Sequence, residues 1–176
     1  HIVIDLHSGG EVARFAHWAG FFTGADPELN QRREQMARWF GVPVVTAGPN
    51  GPPGGILGGL HGDADHQGKY AIGTELGYGS SADVRGVRYA RQGVLAAAIH
   101  HGLLKGKIEP IGHHADGTQS LVRSSASVTA PYPGHYEPLV ECGEKAAKGQ
   151  TVALLHDFYR LDEDPFEVVA AMAGIV

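Results

Sequence analysis

The chain has 176 residues, of which 43% are hydrophobic and 19% charged. That is enough for a buried core in one domain, or one domain and part of another, and it is not the composition of a disordered segment. A formal net charge of -5 gives no broad basic footprint for nucleic acid, no run approaches the length of a membrane span, and the single cysteine, Cys142, excludes an internal disulfide framework and agrees with a reducing, cytoplasmic setting.

The chain opens on a short apolar run, His1 to Asp5, which predicts a buried strand feeding a Ser8-Gly9-Gly10 loop. From there to Gly24 the residues Val12, Phe15, Trp18, Phe21 and Phe22 fit either a strand and loop or aromatic packing round a pocket. Asp26-Pro27 is a helix start, with the aspartate as cap and proline in the first turn. The helix runs to about Phe40, carries Leu29, Met36, Trp39 and Phe40 on its apolar side, and stops at Gly41. A brief strand over Val42 to Val45 precedes a proline-glycine loop from Gly48 to Gly55, then a weaker helical segment from Leu57 to His66. Tyr70 to Leu76 reads as a core strand holding a carboxylate, Glu75, near its end. Ala82 to Leu104 is the clearest helix, with Val84, Val87, Val94, Leu95, Ala98 and Ile99 at helical spacing. This alternation of strand and helix predicts a layered α/β domain.

The character changes near Gly106. Short β-like runs follow at Ser120 to Val122, Ser127 to Ala130, Tyr136 to Val140 and Thr151 to Leu155, and they predict a small all-β module with tight turns. Phe166 to Val176 stops within what reads as a further strand, which leads us to expect a part of a longer polypeptide.

Chemistry concentrates at two strand ends. His7 stands at the carboxyl end of the first strand, where open α/β sheets hold their sites, and neutral imidazole is a good zinc ligand. Asp5, two residues earlier, points to the same side and can hydrogen-bond that ring or another polar neighbour. The plainer alternative is a turn aspartate beside a surface histidine. Glu75 ends an uncharged strand before a glycine-rich loop, and a carboxylate there can take a proton from water and pass it to a leaving amine. The alternative for Glu75 is a helix cap or a partner of Arg85 or Arg88. His7 and Glu75 are expected to face one cleft at the carboxyl ends of neighbouring strands.

Other candidates are set aside. His61-Gly62-Asp63, with His66 nearby, looks like half a metal motif, but it runs directly into the strand leading to Glu75. His100 and His101 are explained by a helix end, His113 and His114 lie in a linker, and Cys142 has acidic neighbours that discourage a thiolate. No Gly-x-Ser-x-Gly elbow, no phosphate loop with Lys-Ser/Thr and no Gly-x-Gly-x-x-Gly after a strand is present. Serine hydrolase, nucleotidase and dinucleotide oxidoreductase therefore lack their parts.

With Asp5-Leu6-His7, Thr74-Glu75-Leu76-Gly77 and the downstream β module in this order, the chain resembles the succinylglutamate desuccinylase/aspartoacylase family of zinc carboxypeptidase-like hydrolases. The Ser8-Gly9-Gly10 continuation leans toward its N-acetyl-diaminobutyrate deacetylase branch. The resemblance implies part of a three-layer α/β sandwich, with residues 1–110 the later half of the catalytic domain and 111–176 part of a β-rich, barrel-sandwich-like C-terminal domain. It also implies zinc (Zn2+) as cofactor, His7 as the last metal ligand, Asp5 as its neighbour, and Glu75 as general base and acid in the hydrolysis of a small N-acyl amino acid. Family members take two further ligands from an early His-Gly-x-Glu motif, and substrate-binding arginines lie between the two metal motifs. This sequence contains neither of them. The expectation is that the isolated chain binds zinc poorly and is inactive.

Tyr136 to Gln150 also resembles half of a biotinyl/lipoyl-type barrel, but the corresponding repeat, Val169 to Gly174, has no lysine. A structural lid or homo-oligomerisation module, with no cofactor at Met172, is expected instead. Two alternatives stand beside the deacylase: a non-catalytic remnant with a carrier-like β module, and a zinc carboxypeptidase.

Overall fold

The computed structural model describes residues 1–50, 59–108 and 119–176. They divide into two compact units, His1–Ser124 and Ser125–Val176. In chain order the first unit contains β1 (Ile2–His7), β2 (Trp18–Thr23), α1 (Pro27–Arg38), β3 (Val44–Pro49), α2 (Gly59–His66), β4 (Tyr70–Glu75), α3 (Val84–His100) and β5 (Ser120–Val122). Its five strands form one sheet in the order β1-β4-β2-β3-β5. β1 runs parallel to β4, β2 to β3 and β3 to β5, while β2 meets β4 antiparallel. This is a mixed α/β sheet.

Helices cover both faces of that sheet. Neighbouring strand residues point to opposite sides, and β2 shows where each side leads. Phe21 joins the buried cluster of Met36 and Ala37 from α1 with Tyr89 and Ala97 from α3, whereas Phe22 stacks on His61 of α2. β2 is thus lined with apolar residues on both sides. That is why its pattern does not alternate and why the sequence left Trp18–Thr23 undecided between strand and pocket.

The expected cap of α1 is present: the Asp26 side chain accepts the N–H groups of Glu28 and Leu29, with Pro27 at the first turn. Gly41, at φ 72, turns the chain out of the helix toward β3. α3 is present over a shorter span, and the face it buries is not the one its valines suggest. Gly86, Tyr89, Gly93, Ala96 and Ala97 are buried, while Val84 and Val87 are 66% and 55% exposed. Close approach explains the difference. A Cβ on Gly86 would stand 1.6 Å from the Leu76 carbonyl oxygen, and one on Gly93 would stand 2.3 Å from the Phe40 ring. Small residues let the helix backbone lie against the sheet, so the bulky ones are turned outward.

Ser120–Val122 is corrected as well. The sequence assigned it to the later β module, but it pairs in parallel with Val44–Thr46 of β3 and closes the edge of the main sheet. The Gln119 side chain fixes that register by donating to the Arg38 and Val42 carbonyls at 3.1 and 3.0 Å.

The second unit contains β6 (His135–Pro138), β7 (Lys145–Ala146), β8 (Thr151–His156), β9 (Phe166–Val169) and β10 (Gly174–Ile175). They form an antiparallel sheet in the order β6-β8-β9 and a two-stranded pair, β7 with β10. Ser127 to Ala130 is not a strand: its residues have no ladder partner, so β-type side chains alone do not make it one. Among the described residues no helix is long and apolar enough to cross a membrane. The glycine-proline loop residues 51–55, the helical start at Leu57 and the His113-His114 pair lie outside the described residues.

Candidate functional site

β1 and β4 are neighbours in register, so Asp5 lies opposite Gly73 and His7 opposite Glu75. The period of two then sets Asp5, His7, Gly73 and Glu75 on one side of the sheet. His7 Nδ1 and Glu75 Oε1 are 3.0 Å apart. Thr74, between the two, holds the strand ends together: its hydroxyl accepts the His7 N–H and donates to the Asp5 carbonyl, both at 3.2 Å. The two site residues therefore stand side by side at the carboxyl ends of adjacent parallel strands.

The loops leaving these strands are tied to each other. The Gly9 N–H donates to the Gly77 carbonyl at 3.0 Å, and the Gly79 N–H to the Gly10 carbonyl. Gly79 has φ 83, a backbone conformation that favours glycine. The Arg14 guanidinium lies over the Tyr78 ring, 4.9 Å from its centroid.

The Glu75 side chain is 12% exposed and that of His7 66%. Burial lifts the Glu75 carboxyl above its ordinary range; His7 opposes that shift by charge and hydrogen bond, and the Asp5 charge adds to it. Glu75 Oε2 is buried with no hydrogen-bond partner. A carboxylate with one oxygen engaged, one free and a raised proton affinity is suited to taking up and returning a proton.

Asp5 does not turn to His7. Its Oδ2 is 3.5 Å from Nδ1 of His61 on α2, the histidine set aside in the sequence. His66 ends α2 exposed. A second histidine passed over in the sequence also meets a carboxylate. His17, before β2, pairs through Nε2 with Asp83 Oδ2, and Asp83 caps α3 by accepting the Arg85 N–H at 3.0 Å. Burial would raise the Asp83 carboxyl, but the Arg85 and Gly86 N–H groups and His17 outweigh it and hold it below the ordinary range.

Among the described residues no group of three or more His, Cys, Asp or Glu side chains is set to hold a metal ion. A catalytic zinc takes three protein ligands. His7 and Glu75 offer one imidazole and one carboxylate, and Asp5 is directed to His61, so these residues alone do not fit a complete zinc site.

No family model matches the chain. The chain is 25% identical over 181 residues to the N-alpha-acetyl-L-2,4-diaminobutyric acid deacetylase of Halomonas elongata, covering 99% of this chain and 50% of that protein. Among solved structures it is similar to a succinylglutamate desuccinylase/aspartoacylase from Rhodobacter sphaeroides, with TM-score 0.82 and 27% identity over 99% of this chain and 51% of that one. It is likewise similar to the product-bound ectoine utilization protein EutE (DoeB) of Ruegeria pomeroyi, with TM-score 0.81 and 25% identity over 98% of this chain and 51% of that one. The chain thus spans about half the length of the relatives it matches. The Asp-x-His and Glu strand ends thus stand side by side in a fold similar to that of a succinylglutamate desuccinylase/aspartoacylase and of an ectoine utilization protein.

Proposed function

We propose that the protein is a deacylase that hydrolyses the amide bond of an N-acyl amino acid or a related N-acyl amine, with N-acetyl-diaminobutyrate the first substrate to try. The observation that carries this reading is the His7–Glu75 pair, 3.0 Å apart at the ends of adjacent strands. Glu75 takes the proton of the attacking water on its unpartnered oxygen and returns it to the departing amine nitrogen, giving a carboxylic acid product and a free amine. His7 holds the other carboxylate oxygen and so fixes the direction in which the free one points. The relatives named above, a deacetylase and a desuccinylase/aspartoacylase, support an amide-hydrolysing reading.

Zinc dependence, with His7 as one ligand and the others drawn from outside the described residues, belongs to this proposal. So do a cytoplasmic location, and a zinc carboxypeptidase-like sandwich completed by a barrel-sandwich-like second unit that serves as lid or homo-oligomer contact. Amine release from N-acetyl-diaminobutyrate, N-acetyl-aspartate and N-succinyl-glutamate tests the reaction, with a dipeptide as the carboxypeptidase control. Release that disappears in Glu75→Gln supports the reading. Release only from the dipeptide moves it to a carboxypeptidase, and release from none of the four overturns it.

The short donor set favours a second reading, a non-catalytic α/β unit carrying a β module. Metal analysis separates the two: about one tightly held zinc per protein supports the deacylase, and none supports the non-catalytic form.

A further inference from the structure

We infer that His61 is a positioning residue of this site: it holds the Asp5 carboxylate on the α2 side, which leaves His7 to Glu75 alone. The inference rests on the deacylase reading for its consequence, but its geometry stands by itself. Asp5 and His7 lie two apart on one strand and on the same side of the sheet. An unrestrained Asp5 carboxylate is therefore a competitor of Glu75 for the imidazole. In the structure it is turned away, toward His61 Nδ1 at 3.5 Å.

The imidazole of His61 is seated rather than loosely placed. Its ring lies nearly parallel to Phe22, 7° between planes and 5.0 Å between centroids. Its other edge fills the space left by the missing side chain of Gly73, where a Cβ would come within 2.6 Å of the ring Cε1 and Nε2. Gly73 sits directly opposite Asp5 in the β1–β4 register. One glycine in β4 thus makes the slot that brings this ring to Asp5.

His61 Nδ1 is buried and has no hydrogen-bond partner. A buried polar atom left alone is costly, and the charge that faces this one is the Asp5 carboxylate. α2 is also held by contacts that do not involve the ring. Asn50 donates to the Gly62 carbonyl at 3.0 Å and to Asp65 at 3.1 Å, and Arg33 pairs with Asp65. The contribution of Asp5 to the raised proton affinity of Glu75 agrees with a carboxylate close to the pair.

The test combines kinetics with a direct view of the ring. His61→Phe keeps the stack on Phe22 and removes both nitrogens. Gly73→Ala leaves the histidine but fills its slot. In the protein assayed on the N-acyl amine it hydrolyses, each variant is expected to lower kcat about tenfold, with KM changed by less than about twofold. In the Asp5→Ala background His61→Phe should cost nothing further, because its route to the site is already gone. An unchanged kcat in His61→Phe, or a loss that adds in full to that of Asp5→Ala, overturns the inference. Nitrogen chemical shifts of the His61 ring at alkaline pH should show the proton on Nδ1 in the parent protein and on Nε2 in Asp5→Ala. A ring tautomer indifferent to Asp5 also overturns it. If the parent protein releases no amine, the deacylase reading fails, while the tautomer still decides whether His61 and Asp5 are coupled.

Discussion

His7–Glu75 and His17–Asp83, two of the histidine–carboxylate pairs of the first unit, are built to opposite specifications. In His7–Glu75 the histidine is open to solvent, the carboxylate is buried, and one carboxylate oxygen has no partner. In His17–Asp83 the histidine is 8% exposed, and Asp83 spends one oxygen on it and the other on the Arg85 N–H. His17 also packs edge-on against Tyr89 of α3, 5.3 Å between centroids. The second pair therefore closes a structural junction between the start of β2 and the start of α3. The first leaves spare hydrogen-bonding capacity beside a solvent-facing imidazole, and spare capacity is what a reaction needs. Residue type alone does not separate the two; the accounting of each oxygen does.

The sharpest break in this comparison is expected from Glu75→Gln. It should lower amide hydrolysis by at least about a hundredfold without lowering the melting temperature, since it removes a charge that burial disfavours. A fall in melting temperature with activity intact would exchange the roles of the two pairs. His17→Ala should do the reverse and cost about 2 kcal/mol in chemical denaturation, because it leaves Asp83 Oδ2 without its side-chain hydrogen-bond partner.

The pH dependence of stability should differ in sign between the two carboxylates. Asp83 is held below its ordinary range, so its contribution is present above the ordinary aspartate value and is lost as pH falls through the lower, folded one. Asp83→Asn should flatten the acid limb of the stability curve. Glu75 is raised, so the folded state holds its proton more tightly, and stability present below the ordinary glutamate value is lost as pH rises through the folded one. Glu75→Gln should therefore gain on the parent protein at neutral pH more than at acid pH. Denaturation series at several pH values check both signs. The smallest effect belongs to Arg32, an exposed α1 side chain that bonds Glu28 and the Tyr70 hydroxyl. Arg32→Ala should leave melting temperature and kcat unchanged, as exposed pairs usually do.

Where local chemistry decides the outcome, the sequence could be read directly. Asp26-Pro27 announced α1, and the apolar runs ending at His7 and Glu75 announced β1 and β4. Tertiary packing decided the rest. The valines of α3 mark its outward face because Gly86 and Gly93 must approach Leu76 and Phe40, a constraint no periodicity contains. Ser120–Val122 has the character of any short strand, and only the Gln119 bonds to Arg38 and Val42 show which sheet it joins. At the site, Asp5, His7 and Glu75 could be singled out by their place at strand ends. His61 could be noticed only as half a metal motif, since its relation to Asp5 runs through a sheet register and a helix laid over it. A further clue was Gly73, a residue without a side chain inside the strand that ends at Glu75.

The pairing of β1 with β4 also bears on how the molecule assembles. His7 and Glu75 are 68 residues apart along the chain, and β2, α1, β3 and α2 all lie between them. The entropy of closing so long a loop must be met before any β1–β4 contact is gained, and such non-local parallel pairings slow folding. During refolding, helical signal from α1 and α3 should thus appear well before the His7–Glu75 contact exists. A partially folded population would be rich in secondary structure and have no assembled site.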